Sequence, residues 1–217
     1  MTIYKNSGLI LSMESAKAAA KTITAITAAA PGVVTSVAHG YSNGDVVLLT
    51  VEGMQQLNGR AFVVLNVATD TFQLADVTGA TGIDTSDYDA FTSGQAEKIT
   101  LGTTIPGVQD FKSSGGDPIF LDTTTVSDLF KKQIVGGANP ISFGLTMQWD
   151  PADNAQKAMK TAFENGDQKV VKIKWPNGRF ILFNGSVGFT GLPGGPNQGV
   201  TVSESAIAMS GNPTYGI

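Results

Sequence analysis

The single histidine of the chain, His39, lies in AHGYSNGDVV (residues 38–47) together with Ser42 and Asp45, and the chain has no cysteine. A hydroxyl, an imidazole and a carboxylate are the parts of an acyl-transfer site, in which the ring takes the hydroxyl proton and the carboxylate orients the ring. Such a triad is defined by geometry and not by nearness along the chain. Here Asn43-Gly44 separates the β-branched runs GVVTSV and GDVVLLT, which predicts a hairpin turn. A turn would leave all three side chains in solvent, with nothing to exclude water or hold an oxyanion. The spacing therefore favours a turn over a hydrolase, and no catalytic residue is assigned.

Other chemistry finds even fewer parts. Asp87 and Asp89 flank Tyr88, but the segment lacks the Asp/Asn-rich loop and closing Glu of a calcium site. Paired catalytic carboxylates would face each other across a cleft, not sit side by side on one loop. The Gly-rich stretches GGANP and GLPGGPNQG lack the Gly-Lys-Ser/Thr ending of a phosphate cradle. Zero Cys and one His rule out thiol catalysis, disulfides and the common zinc sets. No metal and no cofactor is expected. A formal net charge of −4 argues against a surface that grips nucleic-acid phosphates.

The elements that would position such residues are mostly strands. Charged residues make up 15% and Gly reaches 26 in 217, a balance suited to many short strands and turns. Lys5, GLIL (8–11) and Ala18–Ala20 sketch a signal peptide, but Glu14 and Lys17 interrupt it and cleavage is not expected. No run reaches the roughly 20 apolar residues of a membrane span.

Charge divides the chain. Residues 21–96 hold seven acids against Lys21 and Arg60, while the rest holds eleven acids against twelve bases. Within the acidic part TITAI, GVVTSV, GDVVLLT, RAFVVLN and DTFQLA are strand-like runs divided by turn signals, which predicts a small all-β domain. Residues 78–95 have no clear period and read as loop and short strand leading back to the start of that domain.

Beyond residue 96 lies one helix pattern, WDPADNAQKAMKTAFENGD, with Asp150 as N-cap, Pro151 in the first turn and Gly166 as the left-handed stop. Ala155, Met159, Ala162 and Phe163 form its expected core face. KVVKIKW alternates, Pro176-Asn177-Gly178 turns the chain, and RFILFNGSVGF returns as a long strand. VTVSESAIAMSG is the last strand, and its shift of apolar phase predicts a bulge near Glu204.

DTTTVSDLFKK (122–132) is the segment least explained by its own fold. Asp122, Thr123, Thr124 and Thr125 suit an extended backbone with local caps, whereas Leu129 and Phe130 need a cover, from the subunit's own core or from a partner.

The run from IPGVQDF through DTTTVSDLFKKQIVGGANPISFGLTMQWDP, the single helix, KVVKIKWPNGRFILFNGSV and VTVSESAIAMSG resembles the major tail tube proteins of long-tailed bacteriophages. The resemblance covers about residues 97–217, with residues 1–20 as first strand or arm. It implies a β-sandwich with one packed helix, in a domain spanning residues 1–21 and 96–217. It further implies stacked, hexameric rings forming a conduit for DNA ejection, in a virion tail assembled in the host bacterial cytoplasm. The implied partners are further copies, the tape measure and the tail terminator, with DNA passing unbound and no membrane involved. Asp122, Thr123, Thr124, Thr125, Leu129, Phe130, Pro193 and Pro196 are the expected contacts between subunits.

Residues 22–95 resemble the first catalytic cysteine half-domain of ubiquitin-activating enzymes, here without a cysteine to form a thioester. The resemblance implies an inserted domain facing outward from the tube. Two other readings of the chain are a type VI secretion-like tube protein and a carbohydrate- or surface-binding β module. The latter would want exposed Trp and Tyr clusters, and the chain has two Trp.

Overall fold

The computed structural model describes residues 7–216, which form short β-strands joined by turns and loops, with one α-helix. The first six positions of the expected N-terminal strand or arm lie outside the described residues. The first half of the chain contributes β1 (Ile10–Met13), β2 (Ala16–Lys17), β3 (Lys21–Ile23), β4 (Ala25–Ile26) and β5 (Val33–Thr35). It continues with β6 (Val46–Glu52), β7 (Ala61–Leu65), β8 (Thr71–Leu74) and β9 (Ser93–Thr100). The second half holds β10 (Thr103–Ile105), β11 (Val108–Ser114), β12 (Pro118–Asp122), β13 (Gln133–Ala138) and β14 (Ser142–Gln148). After α1 (Asn154–Asn165) follow β15 (Gln168–Lys174), β16 (Phe180–Gly188), β17 (Val202–Met209) and β18 (Thr214–Gly216).

Pairing is antiparallel and sorts the strands into three sheets. One runs in the order β10-β1-β15-β16-β17-β14-β11, with β18 also on β16. A second, of residues 16–100, runs β2-β9-β6-β7-β8-β5-β4, with β3 also on β9. The third is the isolated ribbon β12-β13. Because β5 pairs with β4 and β8 while β6 pairs with β7 and β9, Asn43-Gly44 does not join a hairpin. Those residues turn the chain into β6 after a longer excursion.

The main core lies on one face of the first sheet. Leu11, Met13, Leu145, Met147, Val171, Ile173, Phe183 and Ile207 project into it, and Ala155, Met159 and Ala162 of α1 cover them. The helix begins later than its proline suggests. Asp153 is the N-cap, its carboxylate accepting the Gln156 N–H at 3.0 Å, while Asp150 accepts from the Ala152 N–H in the preceding turn. Gln156 is buried because its amide donates to the Gln148 carbonyl and accepts from the Asp150 N–H, tying the helix start to the end of β14. Gly166 closes the helix at φ 71°, and Phe163 is half-exposed instead of facing the core.

The β15–β16 hairpin forms in register around Gly178, at φ 91°. β17 runs beside β14 without any register shift from Val202 to Ala208, so there is no bulge at Glu204. The apolar phase breaks because Ser203 and Ser205 occupy core-facing positions next to Ile207.

The second sheet has its own core around Val47, Leu49, Phe62, Val64 and Phe72. It also shares one with the first sheet. Val46, Leu48, Ala61 and Ile99 pack on Val170, Phe180 and Leu182, the reverse face of β15 and β16. Where the chain leaves β1, the buried Glu14 accepts the Val170 N–H at 3.2 Å and lies 3.7 Å from Lys169 Nζ. Its own N–H donates to the Val170 carbonyl.

Candidate assembly surface

The ribbon β12-β13 springs from the open end of the first sheet, between β11 and β14, and belongs to no core. Two apolar runs, PIFLD and QIV, pair with Phe120 opposite Val135 and Leu121 opposite Ile134. Side chains alternate across a strand, so one face of the ribbon carries Phe120 and Val135, and the other Leu121 and Ile134. Leu121 lies across Gly136, where an added Cβ would run into it. Both faces are exposed. A lone two-stranded ribbon is marginal in water, and one apolar on both faces calls for a cover.

Its tip is tightly built. Asp122 accepts the Thr124 N–H at 2.8 Å, and Asp128 accepts the Thr125 N–H and hydroxyl, both at 2.9 Å. Thr123 N–H donates to the Lys132 carbonyl, and the Lys132 N–H to the Thr124 hydroxyl. Lys132 also pairs with Asp128 through its ammonium group. Hydrogen bonds from Thr124 hold the Asp122 carboxyl below the usual range; Lys132 first, then Thr125, do the same for Asp128. The consecutive threonines and aspartates thus order a loop that presents apolar side chains to water. Leu129 is 94% and Phe130 83% exposed, and Val126 is fully exposed.

Pro193 and Pro196 lie elsewhere, on the β16–β17 connection. That loop is pinned at Gly194 to Val202 and meets Trp149, whose indole N–H donates to the Gly191 carbonyl. Ser142, next to the ribbon, and Gln148, next to this loop, are the two ends of β14. The expected contact residues therefore fall into two groups beyond opposite ends of β14, which alone spans about 20 Å at roughly 3.3 Å per strand residue. Phe120, Leu121, Ile134 and Val135 were not among the candidates. Their signal was two short apolar runs flanking a polar, turn-rich segment.

His39 departs from the expected solvated turn. It is 4% exposed and packs against Tyr41 and Phe72, with ring centroids 5.0 and 5.2 Å away. Its Nδ1 accepts the Tyr41 N–H at 3.0 Å, so Nε2 carries the proton and donates to the Ala68 carbonyl at 3.1 Å. Both ring nitrogens are thus engaged by backbone and neither meets Ser42. Asp45 caps the Ser42 N–H at 2.8 Å and pairs with Lys98 at 2.7 Å. The Tyr41 hydroxyl donates to the Ala96 carbonyl, and burial, with the charges of Glu97 and Asp45, pushes its pKa up to about 12. These residues anchor the second sheet.

The sequence model of the phage tail tube protein family, TTP, matches residues 52–216. The chain belongs to this family. It is a structural subunit of a phage tail tube, and the matched span takes in strands of all three sheets. Among solved structures, a chain from the virion of a native gene transfer agent particle is similar at 18% identity and a TM-score of 0.40, covering 54% of this chain and 88% of that one. A chain from the tail of an empty gene transfer agent particle, solved with C6 symmetry, is similar at 17% identity and a TM-score of 0.39, covering 54% and 86%. Both likenesses are weak. No curated protein matches the chain. Among the described residues, no helix of the tube subunit is long and apolar enough to cross a membrane, and no cluster of His, Cys, Asp or Glu could hold a metal.

Proposed function

We propose that this tail tube subunit polymerises with itself into stacked, six-membered rings around a lumen, and that the β12-β13 arm makes the contact between copies. The observation that carries this reading is the arm: an ordered loop and ribbon with Leu129, Phe130 and both ribbon faces exposed, in a member of a tube-forming family. Burying Leu129 and Phe130 against a neighbour is worth about 3–6 kcal/mol per subunit. Asp122, Thr123, Thr124 and Thr125 hold the arm in shape for that contact, and Pro193 and Pro196 at the far end of β14 meet another copy. DNA passes through the lumen without being gripped, in keeping with a net charge of −4. The role is structural and not enzymatic, and the tube is assembled in the host cytoplasm with the tape measure and terminator as partners. Residues 22–95 are an inserted β domain of the half-domain type named above, facing away from the lumen.

Negative-stain images of the concentrated protein test the reading. Rings or tubes are the predicted result. Monomers at every concentration would contradict it.

A further inference from the structure

We infer that residues 1–6 seat in an apolar groove of their own copy, between Phe111 and Trp175, and close the open end of the first core with Ile3 and Tyr4. The inference does not rest on the self-assembly reading and adds to it a segment that completes the subunit itself.

The groove consists of two adjoining hollows of about 390 and 580 Å³ that share Phe111, Trp175, Ile181 and Tyr215. The larger one reaches Phe143, Ile173 and Phe183, which belong to the helix-covered core of the first sheet. Phe111, Trp175, Ile181 and Met209 are only partly buried against that core, and Tyr215 is half-exposed. The groove is therefore an uncovered end of the core, and an apolar opening of this kind calls for a cover.

The path of the chain into β1 names the occupant. Gly8 lies against Pro176, the neighbour of Trp175: an added Cβ would come within 3.1 Å of Pro176 Cγ. On its other side, Ser7, Gly8 and Leu9 line a hollow of about 270 Å³ together with Val108, Gln109, Asp110 and Phe111. The chain thus passes between the same two elements whose Trp175 and Phe111 wall the groove. Gly8 has φ 82°, a left-handed bend that takes Ser7 out of the line of β1. Six extended residues ahead of Ser7 reach about 20 Å, ample for hollows of this volume.

The chemistry of the segment suits the place. Residues 1–6 read MTIYKN, with Met1, Ile3 and Tyr4 to bury and one charge, Lys5, close to the rim where water remains. Trp175 offers a second sign: its indole nitrogen is shielded and has no hydrogen-bond partner among the described residues. A buried donor calls for an acceptor, and the carbonyls of an entering backbone supply one.

The chain has no cysteine, which makes disulfide trapping clean. In the full chain, Ile3→Cys or Tyr4→Cys combined with Tyr215→Cys should close on oxidation into a disulfide within one chain, seen as a monomer of raised mobility on a non-reducing gel. Ile3→Cys with Lys157→Cys, on the helix, should not close. Mixing the single variants should give no covalent dimer. Trp175 supplies a readout that needs no thiol, since Trp149→Phe leaves it as the lone tryptophan. In that background, deleting residues 2–6, or Ile3→Asp with Tyr4→Asp in the full-length chain, should shift its emission to the red and at least double its quenching by acrylamide, with the circular dichroism of the strands kept. Absence of closure in both Tyr215 pairs, equal closure with Lys157, or Trp175 emission and quenching unchanged in folded variants would overturn the inference. A mixed covalent dimer from the single variants would also overturn it, because the groove would then receive another copy.

Discussion

Val170 and Val171 are consecutive on one strand, both fully buried, and belong to different cores. Val171 faces the helix-covered core of the first sheet, whereas Val170 faces Leu48 and Ile99 of the second. The two sheets are thus joined through side chains as well as through the chain crossings near Glu14 and Thr100. Leu182→Ala, at the centre of the shared cluster, is expected to cost about 2–5 kcal/mol. Urea unfolding followed by tryptophan fluorescence and by circular dichroism should give coincident, single transitions shifted to lower urea. Two separated transitions would mean that the sheets unfold independently.

The same relationship predicts the result of removing the acidic module. Replacing residues 22–95 by a short Gly/Ser linker strips Val46, Leu48 and Ala61 from Val170, Phe180 and Leu182 and bares an apolar patch. The shortened chain is expected to aggregate, and the further changes Val170→Thr, Phe180→Thr and Leu182→Ser to return it to solution. Solubility of the shortened chain without those changes, judged by size-exclusion chromatography, would show that the shared cluster is unimportant.

Much of the tube half was legible because local signals agreed. KVVKIKW and RFILF flank Pro-Asn-Gly, and the hairpin follows in register. What the pattern concealed was the second covered face: RFILF is a continuous apolar run because Phe180 and Leu182 serve one core and Phe183 another. Ser203 and Ser205 hid the core face of β17, and a bulge was expected in place of two buried serines. The helix starts three residues later than its sequence suggests because Asp150 and Asp153 are both good caps and the choice depends on Gln156, which reaches back to β14. The exposed tip was readable in DTTTVSDLFKK. The ribbon beneath it was not, since PIFL and QIV are too short to show a period.

His39 provides a separate test. His39→Ala removes a ring packed on Phe72 and leaves the Tyr41 N–H and the Ala68 carbonyl without their partner. A loss of about 1–3 kcal/mol is expected, whereas the exposed Ser42→Ala should change stability by less than about 0.5 kcal/mol. Thermal unfolding of the two variants distinguishes them. Equal effects would contradict the anchoring role.

The tip of the arm should respond to acid in a narrow window. Asp122 and Asp128 both titrate below the ordinary value of 3.8 in the folded chain. A carboxyl depressed in this way contributes order that is fully present above its unfolded pKa and is lost as pH falls through the folded one. Amide hydrogen exchange at Thr124 and Thr125, corrected for its intrinsic pH dependence, should be flat from pH 8 to 5 and lose protection only below about 3.8. Loss of protection near pH 6 would show that other groups hold the loop.

If the chain builds a tube from itself through the arm, sedimentation velocity separates the wild type from Leu129→Asp with Phe130→Ser. Both side chains are almost wholly exposed, so the double variant is expected to keep the wild-type circular dichroism and melting temperature. The wild type should sediment as large polymers as concentration rises, and the variant should remain a folded monomer throughout. A variant that polymerises like the wild type would contradict the assignment of the arm, and a wild type that never leaves the monomer would contradict self-assembly altogether.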